Sequence, residues 1–267
     1  MDLGVTGNLY IIVGGTRGMG LAAARTLAAD GARLALIGRS AGNATEVAES
    51  LRAEFGVEVE GHSGDASARD DSFARLLDDI VARRGIPRGL LVTTGTGYDV
   101  GTLLAIGDDM WEAAFQDVTM SHVRAARAII PHMIKAGGGQ LVTTAAYSAH
   151  VPKSFLFGYC DQKAAVANLT RNIAKTYGPE GIRANCVCPG AFETQVVAAK
   201  IQQIIEEKGL TYKEAAADLL ENEYKMPVGL RRPGKAQEAG ELMAFLLSER
   251  AGYLNGAIIN IDGGTDF

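Results

Sequence analysis

The sequence predicts an α/β fold: one doubly wound, seven-stranded parallel sheet with helices on both faces. Three observations predict it. Short apolar runs alternate with longer stretches of helical period along the chain, a glycine-rich turn joins the first run directly to the first helical stretch, and 267 residues, 47% of them apolar, suffice for one substantial core. Strands separated by helices connect through right-handed crossovers and therefore run parallel. A single domain spanning residues 1–267 is the expected organisation.

The first strand is the apolar run Leu9 to Val13, followed by a helix over Met19 to Ala29, a strand over Arg33 to Ile37 and a helix over Thr45 to Phe55. The alternation continues with a short strand at Glu58 to His62, a helix over Ser72 to Arg83, a strand at Leu90 to Thr93 and one long helix from Met110 to Ala136. Then come a strand at Gln140 to Thr144, a helix around Gly158 to Tyr177, a strand at Arg183 to Cys188, a helix at Gln237 to Leu247 and a last strand at Ala257 to Ile261. Gly95-Thr96-Gly97 and Gly137-Gly138-Gly139 fall at element ends, where glycine supplies backbone angles that other residues avoid. One segment, about 195–230, breaks the rhythm with an amphipathic pair, Val196 to Lys208 and Tyr212 to Tyr224. A long excursion at the edge of a compact domain reads as a lid.

A formal charge of -5 and a pI near 5.5 argue against a nucleic-acid surface, which needs a basic stripe to displace counterions. The N-terminus lacks a basic segment leading into a long apolar run, and no stretch reaches the length of a membrane span, so a cytoplasmic protein with no membrane partner is expected. Three cysteines, Cys160, Cys186 and Cys188, are an odd number and do not suit a disulfide framework. Cys186-Val187-Cys188 lacks a second ligand pair, and His62, His122, His132 and His150 are scattered, so the thiols read as buried strand residues and no metal is expected.

The first strand runs into Gly14-Gly15-Thr16-Arg17-Gly18-Met19-Gly20 and then a helix, the context in which such glycines let backbone approach a pyrophosphate and helix N–H groups face it. At the end of the second strand, where an NAD site usually places a carboxylate for the ribose 2'-hydroxyl, this chain has Gly38-Arg39-Ser40. Arg39, Ser40 and Arg17 are suited to a 2'-phosphate, guanidinium in particular to bidentate contact. The cofactor predicted is NADP.

Several further motifs occur in order: Asp65 after the third strand, Tyr159-x-x-x-Lys163 followed by Ala164 and Ala165, Pro189-Gly190 with Thr194, and Ile261-Asp262-Gly263-Gly264 at the last strand. Together with the glycine loop they cover nearly the whole length, and the chain resembles the classical short-chain dehydrogenase/reductase family. The resemblance implies a Rossmann-type fold with a helical substrate lid, and a homotetramer built through the two long helices flanking the fifth strand. It places Gly14, Thr16, Arg17, Gly18, Met19, Gly20, Arg39, Ser40, Asp65, Thr94, Gly95, Tyr159, Lys163, Pro189, Gly190 and Thr194 around the cofactor, Asp65 at the adenine and Pro189, Gly190 and Thr194 at the nicotinamide. The terminal Phe267 is available to dock on a neighbouring subunit.

Tyr159 and Lys163 can be argued from chemistry alone. Four residues apart on a helix they share one face, and an ammonium beside a phenol favours the phenolate. Tyr159 then serves as the acid that protonates a substrate oxygen during hydride transfer, and as the base in reverse.

The departures from the family lie in the chemical machinery. The position of its catalytic serine, thirteen residues before the tyrosine, is Ala146. Ser148 shares a face with that position if the chain stays extended, and Thr144 lies equally far on the other side; Ser148 is the preferred substitute. The family's water-holding asparagine falls at Val118, its Asn-Asn-Ala-Gly segment at Thr93-Thr94-Gly95-Thr96, and the threonine before its glycine loop is Val13.

The expected function is therefore NADP(H)-dependent interconversion of a ketone or enone and an alcohol, by Tyr159, Lys163 and Ser148. The alternative is an NADP-binding module with little turnover. Val196, Val197, Ile201, Ile204 and Ile205, with Ala216, Leu219 and Leu220, form apolar helix faces that either close over a fairly large, partly hydrophobic substrate or pack on the domain. Phe155, Leu156 and Phe157 line the same pocket or belong to the core.

Overall fold

A computed structural model of the chain describes residues 2–95, 101–151 and 153–265. Thr96 and Gly97 of the predicted turn and the terminal Phe267 lie outside the described residues. Seven parallel strands form one sheet in the order β3-β2-β1-β4-β5-β6-β7: β1 (Leu9–Val13), β2 (Arg33–Gly38), β3 (Val59–Ser63), β4 (Gly89–Val92), β5 (Gly139–Thr144), β6 (Ile182–Pro189) and β7 (Ile258–Ile261). The predicted strands are all present, within one or two residues of the expected bounds. Their apolar runs work as sheet interior because both faces are covered, and successive side chains go to opposite cores. In β1, Tyr10 and Ile12 join one core with the first helix, α1 (Gly18–Ala29), and the last, α9 (Ala236–Leu247). Leu9, Ile11 and Val13 join the other, with α3 (Ser72–Arg84), α5 (Ser121–Lys135) and α6 (Phe157–Tyr177).

The helix α2 (Ala41–Phe55) begins four residues earlier than predicted because the Ser40 hydroxyl accepts the Asn43 amide as an N-cap. The predicted long helix Met110 to Ala136 is present as one continuous helical run, Asp108 to Lys135, but it is not uniform. It is divided into α4 (Asp108–Ala114), a π-turn (Phe115–Met120) and α5. Side chains compete there for the carbonyls that a regular helix reserves for amides: Ser121 Oγ lies 2.7 Å from the Asp117 carbonyl oxygen and 3.0 Å from that of Val118, and His122 Nδ1 is 2.7 Å from the Val118 oxygen.

The excursion after β6 contains α7 (Gln195–Lys208) and α8 (Tyr212–Asp218), the latter running into a second π-turn (Leu219–Glu223). Thr194 caps α7, and Thr211 with Glu214 forms a capping box on α8. The apolar faces meet each other: Val197, Ile201 and Ile204 pack against Ala215, Ala216 and Leu219, while Val196 is 65% exposed. Leu220, Met226 and Val228 leave that cluster and pack on Tyr147, just beyond β5.

Candidate active site

Parallel strands place their carboxyl ends on one edge, and the crevice opens where the order reverses, between β1 and β4. The glycine loop lies there. Gly14 takes φ +85 and Gly18 φ +55, in the region where side chains are strained. A Cβ on Gly14 would come within 2.5 Å of Thr93 Oγ1, and one on Gly20 within 2.7 Å of the same atom and into the Gly14 carbonyl. These glycines therefore lock the loop to β4 and leave a cradle that a side chain would fill. Thr16 sits on Gly38, whose added Cβ would lie 2.7 Å from Thr16 Oγ1, and the Asn43 amide donates to the Thr16 carbonyl at 3.4 Å. No acidic residue occupies the first turn of α1. Arg17 and Arg39 are exposed, and neither guanidinium has a partner among the described residues. A backbone cradle at a helix N-terminus flanked by two exposed cations fits the phosphates of a dinucleotide.

Across the crevice, α6 carries Tyr159 and Lys163 on its inner face. Lys163 is 2% exposed, and its ammonium donates to the carbonyls of Thr144 at 3.0 Å and Thr94 at 3.3 Å. The Nζ atom lies 5.5 Å from the centroid of the Tyr159 ring. Burial pushes the Lys163 pKa down to about 8, while Cys186, Asp117 and Cys188 pull upward, so the amine remains charged at neutral pH. Thr94 Oγ1 is 2.7 Å from Ser121 Oγ. Gly95, at φ +86, lies against Val118, whose Cγ2 would be 3.1 Å from an added Cβ. Val118 is fully buried there.

Ala146 is extended, with φ -159 and ψ 160, but the chain then closes into a 3-10 turn over Tyr147–Ala149. The extended geometry on which Ser148 was preferred is therefore not met, because the turn rotates its side chain away from strand alternation. Ser148 is nonetheless 5% exposed, and its hydroxyl has no hydrogen-bond partner among the described residues; the same holds for Thr144 Oγ1.

The remaining predicted residues lie on the same edge. Asp65 Oδ1 accepts from the Ser67 amide and hydroxyl at 2.9 and 2.7 Å, which fixes the turn after β3. Pro189 ends β6, and Gly190 donates to the Ile261 carbonyl at 3.0 Å with no room for a Cβ against Asp262. Cys186 and Cys188 are buried free thiols packed with Val118, Ala145 and Val166 against Tyr159. No group of His, Cys, Asp and Glu able to hold a metal occurs among the described residues. Nor is any described helix long and apolar enough to cross a membrane. The sequence does not foretell that Thr93 meets both Gly14 and Gly20, or that His122 is buried behind Lys163. Neither carries a spacing signal.

A family model described as enoyl-(acyl carrier protein) reductase matches residues 13–266. The dehydrogenase/reductase SDR family member 4 of Oryctolagus cuniculus is 30% identical over 257 residues, 95% of this chain and 92% of that protein. The chain belongs to the short-chain dehydrogenase/reductase family. Its oxidoreductase relatives include the 7alpha-hydroxysteroid dehydrogenase of Clostridium sardiniense, 28% identical over 97% of this chain and 93% of that one. The L-sorbose reductase of Gluconobacter frateurii, solved with NADPH and L-sorbose, superposes with a TM-score of 0.88 at 26% identity, covering 99% of this chain and 98% of the other.

Proposed function

We propose that this short-chain dehydrogenase/reductase is an NADP(H)-dependent enzyme interconverting a ketone or enone and an alcohol on a fairly large, partly hydrophobic substrate. The observation that carries the proposal is the buried Lys163 ammonium, held by two carbonyls beside the Tyr159 ring. A charged amine is costly to bury without a purpose, and displaced ionisable groups gather at functional sites. Two of its three protons are committed to Thr94 and Thr144, leaving one for a ribose hydroxyl. When bound, the reduced nicotinamide supplies hydride to the carbonyl carbon. Tyr159 gives its hydroxyl proton to the carbonyl oxygen and recovers it in the reverse direction. The Ser148 hydroxyl, buried and unpartnered, donates a second hydrogen bond to that oxygen, with Thr144 as the other candidate.

The preference for NADP is supported by the uncommitted Arg17 and Arg39, by Ser40 beside them, and by the NADPH found in the L-sorbose reductase. Tyr147, Leu220 and Met226, where the helical excursion meets the end of β5, supply the apolar wall for the substrate. A single catalytic domain in a cytoplasmic homotetramer, assembled through α5 and α6, completes the proposal on the strength of the family resemblance.

The test is NADPH oxidation against a broad ketone panel. Turnover is expected, and Tyr159→Phe is expected to lower it by about 10² to 10⁴-fold with NADPH affinity unchanged. Tight NADPH binding without turnover on any ketone would establish instead a binding module, the reading that Ala146 favours by lacking a hydroxyl.

A further inference from the structure

His122 is 1% exposed and lies where the carboxyl ends of β4 and β5 meet the π-turn. Its Nδ1 is 2.7 Å from the Val118 carbonyl, which can only accept, so Nδ1 carries the proton. Nε2 is thereby an acceptor, and the Thr144 amide faces it at 3.5 Å. Burial and the Lys163 ammonium push the His122 pKa down to about 3, against the Val118 and Val92 carbonyls, so the ring is neutral throughout the working range. Ser121, the preceding residue, ties the second carbonyl holding Lys163. Its single hydroxyl proton serves the Asp117 and Val118 carbonyls, so the Thr94 hydroxyl donates to it at 2.7 Å.

We propose that His122, with Ser121, is a positioning residue for Lys163: it fastens the ends of β5 and β4 to the π-turn so that the Thr144 and Thr94 carbonyls converge on one ammonium. The inference rests on the functional reading above, but its geometry does not. The charged and titratable groups facing Lys163 are Asp117 from the π-turn, Cys186 and Cys188 from β6, His122 from α5 and Tyr159 on its own helix. A neutral imidazole orients the strand end without adding charge beside the ammonium. Leucine at position 122 would leave the Val118 carbonyl and the Thr144 amide without their side-chain partner and release the Thr144 carbonyl from its set position.

The experiment follows the Lys163 ammonium directly, by pH titration of protein carrying 13Cε-labelled lysine, Lys163→Met assigning the resonance, with no cofactor or turnover required. His122→Leu is expected to lower the Lys163 pKa from about 8 to about 7, as an ammonium losing one carbonyl acceptor should. His122→Gln, which restores an acceptor toward Thr144, is expected to return most of that change. Ser121→Ala, which releases Thr94, is expected to move it in the same direction by less, and it carries the test if His122→Leu does not fold. An unchanged Lys163 titration in folded His122→Leu or in Ser121→Ala overturns the proposal. Because NADPH turnover is assayed separately, an inactive wild type with the predicted titration shifts would overturn only the functional reading.

Discussion

Above β1 and β2, Arg17 and Arg39 stand exposed to water without partners among the described residues, whereas above β4 to β6 Lys163 is 2% exposed and held by two carbonyls. The first region recognises with backbone and free cations. The second works with a buried ammonium whose supports, Thr94, Thr144, Ser121, His122 and Val118, bond or pack on one another. Exposed cations can be exchanged one at a time, because water solvates whatever replaces them. In the buried seat each substitution leaves a polar group orphaned, so its effect spreads to the neighbours.

The sharpest way to break the cofactor region is through its backbone. Gly20→Val should weaken NADPH binding by on the order of 100-fold or more, measured by fluorescence titration, since the new side chain drives into the Gly14 carbonyl and Thr93. Undiminished affinity would mean that the loop does not cradle phosphates. In the buried region, Ser148→Ala should lower kcat by about 10²-fold with little change in KM, the signature of a donor used in the transition state. A silent Ser148→Ala with an equivalent loss in Thr144→Val would assign that donor to Thr144.

Returning to the exposed cations, Arg39→Asp should weaken NADPH binding by about 10 to 100-fold while leaving NADH nearly unchanged, and the difference should shrink at high salt. Equal effects on both cofactors would remove the 2'-phosphate role. The last prediction concerns stability. With a folded pKa near 3, His122 stays neutral in the native protein while an unfolded histidine takes up a proton below about 6.5. Its contribution is therefore intact above that value and is lost as pH falls toward 3, by about 1.4 kcal/mol per pH unit. Urea unfolding of wild type and His122→Gln at pH 7 and pH 4.5 should show the steeper acid loss in the wild type.

Much of this contrast was legible in the sequence, and unevenly so. The central strands β1, β2 and β4 were, because they are apolar runs buried between two layers of helices, and the glycine loop and the Tyr159–Lys163 spacing follow from local geometry alone. The π-turn inside the long helix was not, because it depends on Ser121 and His122 taking carbonyls from Asp117 and Val118, a competition that apolar periodicity does not record. The 3-10 turn through Ser148 likewise has no pattern of its own, being three residues long and opening on a packed Tyr147. His122 looked like one of four scattered histidines because its partners, Thr144 and Lys163, are distant in the chain.

The π-turn between α4 and α5 has one more consequence. Such a turn holds one residue more than a regular helix would, and each residue advances a helix by about 100°. The two flanking helices are therefore out of phase, and the mismatch brings Val118, Ser121 and His122 to a common place at the strand ends. Chain length, as well as side-chain identity, governs this junction. Deleting Gln116 from the π-turn would swing Ser121 and His122 away from the sheet while leaving Asp117, Val118 and the rest of the Lys163 seat in the protein.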